Sequence, residues 1–408
     1  MASPLGATGP ASGAPGAPAS LREPVLRLKR GRDDRARTHP WIFKGDVADV
    51  AGAAPGGAVA VVDSAGRPVG RGFFNPRPAL CCRIVTWTDE PLEDALLARR
   101  VAEAVARRGG GGATLGRLVW SEADGLPGLV ADRYGPVLVV QCLTLAMASR
   151  RAALVAALRA AVGDLPVFAA DDPVSARLEG FDPVRGWLGA EGPARVVVEE
   201  AGVRLAVVPG AGHKTGLYLD QRENRPRVGA LGAGRDVLDA FAYTAGFACH
   251  ALVAGARRAL CLESSPEAIA GARENLALNG VAARAELVGG NAFDELRRLE
   301  RERARFGLVV LDPPPFARTR TALEAAARGY KEINLRAMRL LERGGTLATF
   351  SCSHHVSSGL FEEICRAAAA DAGVRLRVVA PLGPASDHPV LLTVPETGYL
   401  KGLLLQAW

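Results

Sequence analysis

A carboxylate and a thiol, Asp312 and Cys352, each close an apolar run of strand type. Leu308-Val309-Val310-Leu311 leads into Asp312-Pro313-Pro314-Pro315-Phe316, and Gly345-Thr346-Leu347-Ala348-Thr349-Phe350 leads into Ser351-Cys352-Ser353. In an open α/β sheet, ligands bind at the carboxyl ends of the strands. An acid on a rigid proline turn and a thiol at the same edge suit covalent chemistry on an electrophilic ring. Each residue also has a structural reading. A free cysteine is among the most buried residue types, and Asp312 can cap the turn that Pro313 and Pro314 stiffen. Cys81, Cys82, Cys142, Cys249, Cys261 and Cys365 fall inside strand or helix patterns and read as core. His354 and His355 flank the thiol, either as proton acceptors or as a solvated turn.

The elements that must position these groups begin near residue 209, where strand and helix patterns alternate. Val237–Asp239, Ala259–Glu263, Glu286–Val288 and Leu308–Leu311 read as strands. Gly246–Gly255, Pro266–Asn279 and Ala325–Leu341 read as helices. Such alternation implies a parallel, doubly wound α/β sheet. Its first turn, Asp239-Ala240-Phe241-Ala242-Tyr243-Thr244-Ala245-Gly246-Phe247, is neither GxGxxG nor a Walker loop, which disfavours a phosphate-rich ligand. Glu263, followed by Ser264, ends the second strand, where an acid can accept from both ribose hydroxyls. Asn291-Ala292-Phe293 follows the third strand, placed to meet an adenine ring. This order of groups fits S-adenosylmethionine. Lys214, Thr215, Gln221 and Arg222 precede the first strand and are expected to fold over cofactor and target base.

Upstream, residues 24–91 alternate short β-rich runs with turns, Asp63-Ser64-Ala65-Gly66 among them, as in a small β-barrel. The mixed-charge run Lys29 to Arg37 includes Arg30, Arg32 and Arg37, and His39-Pro40-Trp41-Ile42-Phe43 follows. Basic and aromatic groups side by side can grip phosphates and stack bases; a solvated turn before a core tryptophan is the alternative. Residues 92–208 read as an α+β module without evident chemistry. It holds a helix from Glu93 to Arg108, turn-rich stretches at Asp124–Gly128 and Asp132–Gly135, and closing strands Arg195–Glu199 and Val203–Val208. Residues 1–23, rich in Ala, Gly, Pro and Ser, read as a disordered tail.

The 408 residues should hold two or three domains. The net charge of +7 favours a polyanionic partner. Lysine occurs only five times, at Lys29, Lys44, Lys214, Lys331 and Lys401, which draws attention to each. The seven cysteines form no CxxC pair, so the sequence suggests neither zinc nor a disulfide framework, and a reducing, cytoplasmic setting fits. No apolar run is long enough for a membrane span.

Gly212-His213-Lys214-Thr215-Gly216-Leu217-Tyr218-Leu219-Asp220-Gln221-Arg222 resembles the signature that opens the catalytic domain of the RlmI-like methyltransferases. These enzymes use S-adenosylmethionine to make 5-methylcytosine in large-subunit ribosomal RNA. The likeness continues through Phe241–Phe247, Asp312–Phe316, Arg328–Asn334, Phe350–Ser353, Asp387–Pro389 and Tyr399–Gly402, and His39–Phe43 is similar to the start of the family's PUA domain. The resemblance implies a PUA domain, a central α+β module and a Rossmann-like methyltransferase domain at 209–408. It implies structured RNA as partner and allows a homodimer. On this reading Cys352 adds to carbon 6 of cytosine, and Asp312 holds N3 and the exocyclic amine. Phe316 lines the pocket, and the base is unpaired or flipped out. The sequence departs from the family at Pro315, usually lysine, at Ala245, commonly glycine, and at Asn291, commonly aspartate. The missing lysine keeps open an amino-group methyltransferase, whose Asp-Pro-Pro chemistry needs no cysteine. A non-catalytic S-adenosylmethionine-binding protein of ribosome assembly is the further alternative.

Overall fold

Along Gly57–Val62 the side chains of Val59 and Val61 turn inward, the period-two burial of a strand with one face on a core. The computed structural model describes residues 24–210, 215–317 and 319–408. Lys214, with Gly212 and His213, lies outside the described residues, as does the 1–23 segment. Among the described residues, six strands form the amino-terminal sheet, in the order Trp41–Phe43, Leu80–Thr86, Pro68–Phe74, Gly57–Val62, Val25–Leu28, Val47–Ala51. Leu26, Leu28, Ile42, Val59, Val61 and Ile84 share its core. The expected hairpin turn is fixed by Asp63, whose carboxylate accepts from the amides of Ala65 and Arg67, each at 2.9 Å.

The central module is a five-stranded sheet backed by helices Asp94–Arg107 and Arg151–Val162. One stretch departs from expectation. Asp132-Arg133-Tyr134 belongs not to a turn but to strand Leu129–Tyr134, paired in antiparallel register with both neighbours and buried along most of its length. Its polar letters mask a strand because Asp132 is neutralised inside the protein by Arg117, through two bonds of 2.8 Å.

The carboxyl-terminal sheet is built from β1 (Asp236–Ala240), β2 (Arg258–Glu263), β3 (Ala285–Gly289), β4 (Phe306–Leu311), β5 (Leu341–Ser351), β6 (Leu376–Leu382) and β7 (Lys401–Ala407), in the order β3-β2-β1-β4-β5-β7-β6. Strands β1 to β5 are parallel, and β7 inserts antiparallel between β5 and β6. Helices α1 (Gly246–Val253), α2 (Pro266–Leu278), α3 (Ala292–Arg301), α4 (Leu323–Arg339) and α5 (Ser358–Ala372) connect the strands. Strand order reverses at β1, so the crevice between β1 and β4 is the expected ligand position. Register places Ala240 beside Leu262 on one flank and Leu311 on the other, and Leu311 beside Thr349. The residues that follow each strand therefore emerge along one edge.

The hairpin Val196–Glu200/Val203–Val207 reads from sequence as part of the central module, but it docks on the carboxyl-terminal sheet domain. Asn275 of α2 accepts from Ala206 N at 2.8 Å, while its amide donates to Thr244 O at 2.9 Å. Glu200 pairs with Arg225 through two 2.6 Å bonds and with His250 of α1 at 3.0 Å.

Candidate active site

Asp312 and Cys352 converge as their strand positions require. Asp312 leaves β4 with its amide 3.5 Å from Ala240 O, and the Cys352 sulfur lies 3.7 Å from Pro313 O. The two loops are also joined through Ser353, whose hydroxyl accepts from Ala317 N at 3.2 Å and contacts the Tyr330 hydroxyl at 2.9 Å. Among the described residues six cysteines are buried and Cys352 alone is partly exposed. Burial pushes the other six thiols up, Cys142, Cys249 and Cys365 to about 12. Reactivity follows thiolate fraction and access, so Cys352 is the reactive candidate.

Residues that sequence reasoning passed over surround this pair. Burial, and then the charges of Tyr243, Asp312, Asp220 and Cys352, push the Tyr218 phenol well above its ordinary range. Tyr218 therefore stands within electrostatic reach of both predicted catalytic groups. Its ring meets that of Tyr243 edge-on at 5.1 Å. The Tyr399 hydroxyl donates to Asp220, and the Tyr399 ring lies 5.6 Å from that of His354. Trp120, from the module read as chemically silent, packs against Tyr399 at 5.7 Å. Tyr218 and Tyr399 both lie in stretches that match the family pattern; Trp120 carries no such signal.

On the cofactor side, the turn after β1 is held in an unusual conformation: Phe241, Tyr243 and Ala245 all have left-handed backbones, with φ of 63°, 48° and 58°. Non-glycine residues rarely adopt this region, and such strain gathers at ligand sites. It also explains why glycine suits position 245. Gly246 has a separate requirement, since a Cβ there would meet Arg225 Cδ at 2.8 Å. Asp239 accepts from Ala248 N at 3.0 Å, while its other carboxylate oxygen is buried without a hydrogen-bond partner among the described residues. Burial pushes the Asp239 carboxyl up to about 8. Glu263 accepts from the amides of Tyr243 (2.8 Å), Ser264 (2.7 Å) and Ser265 (2.9 Å). These bonds fix the carboxylate at the end of β2, and the oxygen that meets Tyr243 N keeps further acceptor capacity. Asn291 caps α3, its side-chain oxygen accepting from Phe293 N at 2.8 Å. Its NH₂ stays available as a donor, and its oxygen keeps a second acceptor site. Phe241, Phe293 and Phe316 form an aromatic wall with centroids 5.6 to 6.4 Å apart.

The orphaned carboxylate oxygen of Asp239, the fixed carboxylate of Glu263, the amide of Asn291 and the aromatic wall fit S-adenosylmethionine, with its ammonium, ribose hydroxyls and adenine. Ala292 opens α3 beside this wall and is buried, as is Pro313, which follows Asp312.

Other predicted residues are engaged elsewhere. Thr215 is buried, its hydroxyl bonded to Asp132 and to Tyr134 (2.8 Å), so it fastens the central module rather than a cofactor. Phe247 packs in the core, 5.7 Å from the Phe350 ring. Gln221 is buried, its oxygen accepting from Asn224 at 2.6 Å, while its nitrogen has no hydrogen-bond partner among the described residues. Arg222 pairs with Asp387 at 3.0 Å. In the amino-terminal sheet, His39 is buried and bonds Glu396 at 3.1 Å, while Trp41 Nε1 donates to Glu122 at 2.9 Å. Both are spent on junctions between parts of the chain. Arg30, Arg32 and Arg37 remain exposed. No cluster of His, Cys, Asp or Glu among the described residues could hold a metal ion, and no helix among them is long and apolar enough to cross a membrane.

The family model for S-adenosylmethionine-dependent methyltransferases matches residues 118–392, and one for a PUA-like domain matches residues 26–87. The chain is 40% identical over 393 residues to ribosomal RNA large subunit methyltransferase I of Shewanella denitrificans, covering 94% of this chain and 99% of the relative. It is 38% identical over 388 residues to the protein of the same name from Klebsiella pneumoniae, covering 93% and 97%. The crystal structure of SMU.776 complexed with SAH shares the fold, with a TM-score of 0.82 at 18% identity over 94% of this chain and 99% of that one.

Proposed function

The chain belongs to the S-adenosylmethionine-dependent methyltransferases, in the family of ribosomal RNA large subunit methyltransferase I, and from that premise we propose that it methylates carbon 5 of a cytosine in large-subunit ribosomal RNA through a Cys352 adduct. The observation that carries the reading is the accessible thiol on a loop tied to the Asp312 loop. Carbon 5 of cytosine is a poor nucleophile until a thiolate adds at carbon 6 and makes it enamine-like. Bound S-adenosylmethionine supplies the electrophilic methyl group. Cys352 forms the sulfur–carbon bond. Asp312 hydrogen-bonds N3 and the exocyclic amine, stabilising the charge that develops on the ring. His354 and His355, exposed beside the thiol, can accept the carbon 5 proton. Departure of the Cys352 sulfur then restores the ring. Asp239, Glu263 and Asn291 would hold the cofactor, and Phe241 and Phe293 would offer apolar faces to its adenine, leaving Phe316 to the target base.

The test is nucleoside mass spectrometry of ribosomal RNA incubated with methyl-labelled S-adenosylmethionine, wild type beside Cys352→Ala. Labelled 5-methylcytosine from wild type alone supports the reading. A methylated amine, or label that survives Cys352→Ala, removes Cys352 as nucleophile and favours transfer to an exocyclic amine.

A further inference from the structure

Lys401, one of only five lysines in the chain, opens β7 directly opposite Ser351, the last residue of β5. Its side chain is buried, and Nζ donates to Ser353 O at 2.7 Å and to Val356 O at 2.6 Å. Both carbonyls belong to the turn that begins at Cys352, which is closed on itself by Val356 N donating to Ser353 O at 3.2 Å. A buried ammonium is costly unless it is well paired. These two partners are neutral carbonyls, so the hydrogen bonds fix the turn without cancelling the charge. The nearby group able to balance it is the Cys352 thiolate. Burial lowers Lys401, and with a charged Cys352 partly offsetting it the ammonium stands at about 8.

We infer that Lys401 is a positioning residue for Cys352, clamping the turn through two carbonyls and raising the fraction of the thiol present as thiolate. The inference rests on the reading of Cys352 as nucleophile for its bearing on catalysis, though the effect on the thiol can be measured without turnover. Three phenols around the sulfur carry no positive charge. Tyr218, Tyr330 and Tyr399 are phenols pushed up mainly by burial, and therefore neutral. The Asp312 carboxylate on the adjoining loop opposes thiolate formation. His354 is exposed and turned to the Tyr399 ring. The Lys401 charge is present below about 8, which covers the neutral range in which the thiolate is needed.

The experiment measures iodoacetamide alkylation of Cys352 against pH by peptide mass spectrometry, in full-length wild type, Lys401→Gln, Lys401→Met and Lys401→Arg. The burial of the other six cysteines keeps the background low. Lys401→Gln retains donors for the carbonyls and removes the charge; Lys401→Met removes both. Removing an opposite charge at close range shifts a pKa by about one unit or more. The midpoint should rise by that amount in both neutral variants, with alkylation at neutral pH slowed about tenfold. Lys401→Arg should keep the wild-type midpoint. A neutral variant that binds S-adenosylmethionine as wild type does, yet alkylates with the wild-type pH profile, would falsify the inference. If neither neutral variant folds, a midpoint in Lys401→Arg raised by about a unit overturns it too. The two readings fail separately. Product made by Cys352→Ala ends the nucleophile assignment without touching the thiol titration, and an unmoved titration ends the Lys401 role with the nucleophile intact.

Discussion

The sulfur of Cys352 lies 3.7 Å from the carbonyl oxygen of Pro313, the residue next to Asp312. Thiol and carboxylate are thus carried on two loops that touch, each loop starting where a central parallel strand ends. The contact is that of a thiol donating weakly to a backbone carbonyl, a bond that a thiolate, having no proton, cannot make.

On the proposed mechanism the two groups act on one ring, so the effects of removing them should not add. Cys352→Ala should cut single-turnover methyl transfer by about a thousandfold or more. Asp312→Asn keeps the shape and should cost about a hundred- to ten-thousandfold. The double variant should be no slower than Cys352→Ala. Rapid-quench transfer from labelled S-adenosylmethionine measures all three, and additive effects would show that the residues act in separate steps.

Asp239 gives a pH signature. Burial raises its carboxyl from an ordinary 3.8 to about 8. The folded protein therefore holds a proton that the unfolded chain gives up, and stability falls as pH rises from about 4 to about 8. Asp239→Asn preserves the acceptor for Ala248 N and cannot ionise. Thermal unfolding without S-adenosylmethionine should show the variant gaining on wild type across that window. A constant difference in Tm between the two would place the carboxyl at its ordinary value.

Asp312, Cys352, Glu263 and the alternation of strands are legible in the sequence because each depends on position along the chain: an apolar run and the residue that ends it. Lys401, Tyr399 and Trp120 are not, because their places depend on pairing between distant segments. Strand β7 inserts antiparallel between β5 and β6, and nothing local to residues 401–407 specifies that partner. His39 and Trp41 mislead for a related reason. A basic and aromatic stretch looks the same whether its rings face RNA or a junction within the chain, and here Glu396 and Glu122 take them. Thr215 points to the cofactor only through its neighbours in sequence, whereas its hydroxyl is claimed by Asp132 and Tyr134 of another module.

Glu200 tests how firmly the cofactor turn is anchored. Burial favours its neutral form, but Arg225 and His250 outweigh that and hold the carboxyl at about 2. Its contribution is therefore present above about pH 4.5 and disappears as pH falls toward about 2. Glu200→Gln leaves the Arg225 guanidinium buried beside Gly246 without its anionic partner, a change that costs about 3–5 kcal/mol. The expected result is a large fall in Tm at neutral pH that narrows as wild type is acidified. An unchanged Tm would mean that water or another group reaches Arg225.

The remaining exposed arginines of the amino-terminal sheet carry the electrostatic prediction. Arg32 lies 3.5 Å from Asp46, Arg37 lies 3.5 Å from Asp33 and 3.6 Å from Asp63, and both arginine side chains are exposed. Pairs of this kind contribute little to folding, so replacing Arg30, Arg32 and Arg37 with serine should leave Tm nearly unchanged. Each RNA phosphate that a missing arginine no longer neutralises should reduce the slope of log affinity against log salt by about 0.7 to 0.9. If all three arginines meet RNA phosphates, the slope for ribosomal RNA binding by the triple variant should shrink by about two, while S-adenosylmethionine affinity stays as in wild type. A salt dependence that matches wild type would move the RNA path off this run of the chain and onto another part of the surface.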